Sequence, residues 1–336
     1  MLNCNFNRKK PLVALVVPTG IGASVGGYAG DASGVARNFS KDFNVIVNPN
    51  VVNAACFSGI NESMLYTEGW ALTQFFKGHL SLIPSMKNKI GVIFDSGISQ
   101  GILNVHLNTV SAVKTVYGVD VIGYEITSEP AKVEFFNTNS GISSGSVLNY
   151  KTLVEAGEKL IARGAEVLAV VCKFEEPPED NYKDGEGVDI VGGVEAVISH
   201  YLTRELFVPV VHAPAFENIN ITKEIVDAKA AAEYITPTFL PCLLVALDNA
   251  PLFSREKREQ YIAREDISSL IMPYGALGSS IVLDAIDANI DVFAVKENKS
   301  VLNINKNVID KNGIIKEVDT YENCIKFLKE KFNEKK

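Results

Sequence analysis

The sequence predicts an α/β protein, with mostly parallel sheet covered by helices on both faces and arranged as two Rossmann-like halves. Three observations carry that expectation. Short continuous apolar runs alternate with segments of helical periodicity, as strands buried on both faces and their crossover helices do. Two of those runs end in glycine-rich loops that lead into helices. The 336 residues are 47% hydrophobic and 21% charged, enough apolar material for two ordinary domains or one large doubly wound sheet.

In chain order, the pattern predicts a strand at Leu12–Val17, a glycine-rich loop, a short helix at Ser33–Phe43 and a strand at Asn44–Val47. A strand at Lys89–Phe94, a helix around Asn108–Val116 and a strand at Asp120–Tyr124 follow. Residues 128–150 are rich in Asn, Ser and Gly and break the pattern, which places a domain junction or functional loop there. An amphipathic helix, Lys151–Arg163, is stopped by Gly164 before a buried strand at Glu166–Cys172. The acidic stretch 175–187 reads as a surface loop. Then come helix Val191–Glu205, strand Val208–Val211, helix Thr222–Tyr234 and strand Leu240–Ala246. Strand Ser269–Pro273, helix Ser279–Asn289, strand Asp291–Val295 and an outer helix from Thr320 complete the chain. The expected halves are 1–135, with the first glycine loop, and 136–336, with the second loop and the terminal helix.

Composition excludes several classes. Net charge is −8, and the only dense basic runs, Arg8-Lys9-Lys10 and Lys335-Lys336, sit at the ends and read as solvated termini, so nucleic acid is not an expected partner. The apolar run after Lys10 stops at Pro18-Thr19-Gly20 without a small-residue cleavage site, so it reads as a first strand and not as a secretory signal. No segment reaches the ~20 apolar residues of a membrane helix. A soluble cytoplasmic chain without a membrane partner is expected. Five cysteines (Cys4, Cys56, Cys172, Cys242, Cys324) show no C-x-x-C pair, which reads as free thiols. The four histidines lack metal-ligand spacing, so no metal is expected.

The segment from Val16 to Gly34 delivers a buried strand into a loop with Gly20, Gly22, Gly26, Gly27 and Gly30, followed by Asp31 and a helix. Glycines admit close backbone approach, and helix-terminal amides attract anions. The spacing departs from a dinucleotide fingerprint, and the second strand ends in Asn48-Pro49-Asn50 where a ribose-binding acid belongs. No P-loop is present. Anion binding and a plain tight turn both stay open. Gly275, Gly278 and Ser279 form a second strand–loop–helix signal of the same kind, with tight packing of helix on sheet as its alternative. It superficially resembles a nucleotide-sugar segment. The cofactor is left unassigned.

The run Asn139–Gly145, with Ser140, Gly141 and Ser144, reads as a substrate loop or a linker. His212 follows a strand, where ligand sites of open α/β sheets lie, and is the first candidate for acid–base work, ahead of His200. A histidine satisfied by a backbone carbonyl is the competing reading. His106 ranks lower and His79 reads as solvated. Asp95, at a strand end, and Glu68 are the candidate partner acids, with Asn50, Asp189 and Glu195 as substrate contacts. Cys56 and Cys242 act as nucleophiles only if their surroundings lower the thiol pKa.

The segments NPNVVNAA, LYTEGW, FDSGI, GGVEAVISH, VVHAPAF and TFLPCLLVAL resemble a family of unknown function found in cyanobacteria and other bacteria, from about Val16 to Glu297. The resemblance implies a full-length member and no established reaction. Within the matching stretches lie Asn50, Glu68, Asp95, Gly141, Gly187, Asp189, Glu195, His200, His212 and Pro241. Asn48 stands where the family pattern has a histidine, and Gly275-Ala276-Leu277-Gly278 where it has Ala-Cys-Gly-Gly. The missing cysteine weakens an analogy to two-cysteine racemases.

Together these features predict an enzyme, of transferase or isomerase type, acting on a small anionic metabolite with histidine-based acid–base chemistry; phosphorylated and nucleotide-linked compounds are the candidates. A non-catalytic metabolite sensor with the same crevice is the alternative. A homodimer is the base-rate expectation.

Overall fold

Two parallel sheets organise the chain. The structure is a computed structural model that describes residues 7–177, 181–219, 221–310 and 313–334. Cys4, Lys335-Lys336 and residues 178–180 of the acidic loop lie outside the described residues. Counting only the strands of the two main sheets, β1 is Leu12–Leu15, β2 Asn44–Val47, β3 Met64–Tyr66, β4 Lys89–Phe94 and β5 Asp120–Ile126. Next are β6 Val167–Lys173, β7 Val210–Ala215, β8 Ile267–Pro273, β9 Asp291–Val295 and β10 Ile315–Val318. One sheet runs β10-β9-β8-β1-β2-β3 and the other β7-β6-β4-β5. Every pairing in both is parallel. Each sheet therefore pairs strands from before and after residue 135, and the two ends of the chain meet where β1 lies beside β8.

Helices of eight residues or more are α1 Ser33–Ser40, α2 Gly69–Phe76, α3 Gln100–Tyr117, α4 Tyr150–Ala162, α5 Gly192–Leu206, α6 Leu240–Leu247, α7 Ser280–Asp287 and α8 Tyr321–Asn333. The period of two along each strand sorts them onto opposite faces. In β1, Leu12 and Ala14 pack with Leu72 and Phe75 of α2 and Ile281 and Val282 of α7. Val13 and Leu15 pack on the other side with Phe39 of α1 and Leu328 of α8. In β6, Leu168 and Val170 face Leu153 of α4 and Ile198 of α5. Val167 and Ala169 face the core shared with α3 and α6. Helices cover both faces of both sheets, as the apolar patterning predicts.

Several elements differ from expectation. The run Leu240–Ala246, expected as a strand, is α6. Periodicity cannot separate a helix buried all round from a buried strand. Pro241 in its first turn and its Leu and Ala content settle the matter for helix. Of the helix expected at Thr222–Tyr234, only Ala231–Tyr234 is helical. The preceding residues are tied across the chain, Asp227 N–H donating to the Lys183 carbonyl at 2.8 Å. The polar segment 128–150 forms an antiparallel hairpin, Val133–Asn137 with Ser143–Val147. Strand β3 was not expected, α3 starts at Gln100 and not Asn108, and β7 runs on to Ala215, so His212 lies inside a strand.

The hairpin lies flat on α5 because Gly145 lacks a side chain. A Cβ there would stand 2.3 Å from the Glu134 carbonyl oxygen and 2.4 Å from Val194 Cβ. Gly145→Ala therefore forces the hairpin off α5 and is expected to destabilise by about 1–3 kcal/mol, read from the urea midpoint.

Candidate functional site

A cavity of about 970 Å³ opens at the carboxyl ends of strands from both sheets. Its wall includes Pro18 and Thr19 after β1, Asn48 and Asn50 after β2, Glu68 after β3 and Phe216 after β7. Helices α2, α5 and α6, the start of α7 and segments of 176–191 and 216–237 complete it.

Asn48 shapes the floor. Its carboxamide accepts from Val17 N–H (3.0 Å) and donates to the Val17 carbonyl (2.8 Å), locking the ends of β1 and β2 together. Asn50 donates to the carbonyls of Val17 (3.3 Å) and Gly26.

Glu68 caps α2. One carboxylate oxygen accepts from Trp70 N–H (2.8 Å) and Ala71 N–H (3.2 Å), the bonds that the open amides of a helix N-terminus require. The other oxygen lies 3.0 Å from His200 Nδ1 on α5. Gly69 makes this approach possible, since a Cβ there would sit 2.6 Å from His200 Cε1. His200 Nδ1 also bonds the Ala196 carbonyl one turn back. Burial disfavours the imidazolium, but the charge and hydrogen bonding of Glu68 and the Ala196 carbonyl outweigh it, and the His200 pKa is raised. Its side chain is 44% exposed.

The second couple is deeper. His212 Nδ1 lies 3.4 Å from Glu195 Oε1, and the imidazole stacks on Phe174 with ring centroids 5.3 Å apart. His212 Nε2 has no hydrogen-bond partner. Burial pushes His212 down to about 3, against the opposing charge of Asp95, so this imidazole is neutral at physiological pH. Burial also pushes Glu195 up to about 8, so its carboxyl holds a proton. Glu233 is likewise pushed up to about 8, by burial and then by the charge of Asp189, although Ala29 N–H (2.7 Å) and Tyr182 OH (2.9 Å) both donate to its Oε1.

Of the residues singled out from sequence, the cavity brings together His200, His212, Glu68, Asn50, Asp189, Glu195 and Ser279. Asp189 accepts from Val191 and Gly192 N–H, each at 3.0 Å, and so starts α5. Asp95 is not on the wall. It is 2% exposed and accepts from the amides of Gly97, Ala131 and Lys173, tying together the loops at the ends of β4 and β6.

Gly20, Gly22, Gly26, Gly27, Gly30, Gly275 and Gly278 do not line the cavity either. They let protein meet protein: a Cβ would stand 2.1 Å from the Ala23 carbonyl oxygen at Gly27, 2.3 Å from Ala54 Cβ at Gly30 and 2.2 Å from the Leu302 carbonyl oxygen at Gly275. The amides of Gly26 (2.6 Å) and Tyr28 (3.4 Å) donate to Asp31, whose pKa burial raises to about 6. Ser140, Gly141 and Ser144 belong to the hairpin and lie off the cavity. His106 is buried and bonds the Ile102 carbonyl at 2.9 Å, while His79 is exposed.

Cys242 lines the cavity with its thiol pushed up to about 12 by burial, the opposite of an activated nucleophile. Cys56 accepts from the Thr236 hydroxyl at 3.1 Å. Tyr28 and Tyr182 stand on segments whose sequence carries no periodic signal, and Glu233 on the helical turn Ala231–Tyr234, where periodicity does not say what a side chain meets. No cluster of three metal-ligating side chains occurs among the described residues. No helix among them is long and apolar enough to cross a membrane.

A carboxyl whose folded pKa is about 8 and unfolded value 4.5 contributes stability that is fully present below pH 4.5 and is lost as pH rises through 8. Glu195→Gln, which cannot ionise, should flatten the fall in stability across that window, as measured by urea unfolding at stepped pH. An unchanged slope would mean that Glu195 is ionised in the folded protein.

The family described as "Protein of unknown function (DUF3326)" matches residues 12–331. An uncharacterized lipoprotein of Synechococcus sp. (strain ATCC 27144 / PCC 6301 / SAUG 1402/1) is 36% identical over 297 residues, covering 86% of this chain and 82% of its own length. No solved structure matches. The chain is a member of the DUF3326 family, as the motifs around Asn50, Glu68, His200 and His212 imply.

Proposed function

We propose that the protein is an enzyme, working in the cytoplasm on a small polar metabolite held in the 970 Å³ cavity, with Glu68 and His200 as its proton-transfer pair. One observation carries the reading. His200 is half-exposed on the cavity wall, with Nδ1 fixed by Glu68 and Ala196 and with no protein hydrogen bond to Nε2 among the described residues. A carboxylate that orients an imidazole and supports its charge is the arrangement general acid–base catalysis needs. Isomerisation and group transfer both use such a pair, and His212 with Glu195 supplies a second, proton-holding couple behind it. The glycine loops of the sequence point to anionic, phosphorylated or nucleotide-linked substrates. The amides of the first glycine loop that an anion would use already bond Asp31 and Glu233. A polar metabolite of unspecified charge is therefore the broader form of that reading.

A non-catalytic metabolite sensor is the second reading, favoured by the enclosure of His212, whose side chain has no exposed surface. The two separate on His200→Ala. An enzyme loses about 10²–10⁴-fold in kcat/KM for a substrate found by metabolite screening, whereas a sensor shows no turnover to lose. The pair itself is testable without a substrate. The His200 pKa, followed by NMR, is expected above 6.5 in the wild type and lower in Glu68→Gln, where burial is opposed by the Ala196 carbonyl alone. A value indifferent to Glu68 would remove the pair.

A further inference from the structure

We propose that Cys56 and Cys242 form a reversible disulfide, a modification site that fastens one side of the cavity wall in response to peroxide. The inference goes beyond the acid–base reading and does not depend on it.

The two cysteines are distant in sequence and meet at one contact. Residues 53–58 form a short antiparallel ribbon in which Asn53 pairs with Ser58 and Ala54 with Phe57, so Ala55 and Cys56 make the two-residue turn at its tip. Ala55 adopts a φ of +55°, where such a turn favours glycine, and this sharp reversal sets where Cys56 stands. The ribbon packs on α6. There the Cys242 amide donates to the Ala55 carbonyl at 3.3 Å. Standard backbone dimensions then bring the Cα atoms of Cys56 and Cys242 within roughly 5–7 Å, the span that a disulfide closes.

Each thiol is turned towards the element that carries the other. Cys56 Sγ lies 3.1 Å from the Thr236 hydroxyl, in the segment that leads into α6. The Ala54 amide of the ribbon donates towards Cys242 Sγ, whose own proton goes to the Phe239 carbonyl at 3.2 Å. Thiol hydrogen bonds are weak, so rotation about χ1 brings the sulfurs together at little cost. Exposure separates this pair from Cys172 and Cys324, which are fully buried. Cys56 is partly exposed, and Cys242 lines the cavity.

The chemistry follows the ordinary oxidation of a thiol. Cys56 sulfur attacks hydrogen peroxide, the O–O bond breaks, and Cys56 sulfenic acid and one water form. Cys242 sulfur then attacks the sulfenic sulfur. The S–S bond forms, the S–O bond breaks, and the hydroxyl leaves with the Cys242 proton as a second water. Two thiols are oxidised and one peroxide is reduced. Burial keeps Cys242 in its neutral form, so the second step is the slower one. Asn53 on the ribbon and Thr236, Phe239 and Cys242 on the other side all belong to the cavity wall, so the bond ties two parts of that wall together.

The test exposes the reduced full-length protein to a small molar excess of hydrogen peroxide, blocks remaining thiols with iodoacetamide and maps the digest by mass spectrometry. A peptide pair joining Cys56 to Cys242 within one chain is expected, with the protein lighter by two hydrogens and restored by dithiothreitol. The link should persist in Cys4→Ser and vanish in Cys56→Ser. Amide exchange of residues 53–58 should slow at least about tenfold once the bond closes. The wild-type map and exchange stand even if a variant folds poorly. Cys56 carried on to sulfinic acid without a link, a link from Cys56 to Cys4 or to a second chain, both thiols left unchanged, or a link that does not slow exchange would each overturn the proposal.

Discussion

The site depends on how closely the first turn of α5 can approach the backbone around it. A Cβ at Gly193 would lie 2.2 Å from the Ser143 carbonyl oxygen, and one at Gly192 would lie 2.5 Å from Asp189 Oδ2 and 2.9 Å from Thr19 Cγ2. The Gly193 amide donates to Ser143 Oγ (3.0 Å), and the Val191 and Gly192 amides donate to Asp189. The helix start is thus clamped between the hairpin and the loop after β1. From that anchor, α5 carries Glu195 towards β7 and His200 towards the cap of α2. Loosening the clamp would separate both Glu–His couples at once.

The clamp also joins the two sheets functionally. Glu68 comes from the end of the six-stranded sheet and His212 from the four-stranded sheet, while α5 supplies a partner to each. The outer couple therefore spans the two sheets, whereas the inner couple forms between β7 and its own crossover helix. The return of the chain from β7 through α6 to β8 brings residues between 222 and 237 into the cavity wall. There Glu233 ties that segment to the glycine loop through Ala29 and to the acidic loop through Tyr182.

Much of the fold was legible because apolar patterning reports burial directly. Runs such as Lys89–Phe94 and Asp291–Val295 became strands at the expected residues. The pattern failed where burial is complete on every side, as in α6, and where chain path is set by distant hydrogen bonds, as at 222–230. For the site, strand-end position picked out His212, residue type picked out His200, Glu68 and Glu195, and the resemblance added Asn50 and Asp189. Asp95 obeyed the same strand-end rule but engages three backbone amides instead. The glycine loops misled in a specific way: glycine permits close approach, and the sequence does not say whether the approaching group is a ligand or, as at Gly27 and Gly30, the protein itself.

The two couples contain the same residue types and behave oppositely, and the difference is solvent. His200 keeps access to water and meets a carboxylate already anchored by two helix amides, so its charged form gains. His212 is enclosed by Phe174 and meets a carboxyl with no cation beside it, so both partners stay neutral. Environments that push like groups apart in pKa create distinct proton donors and acceptors within one cavity. Here the outer couple is half-exposed and favours the imidazolium, while the inner one is enclosed and keeps both partners neutral.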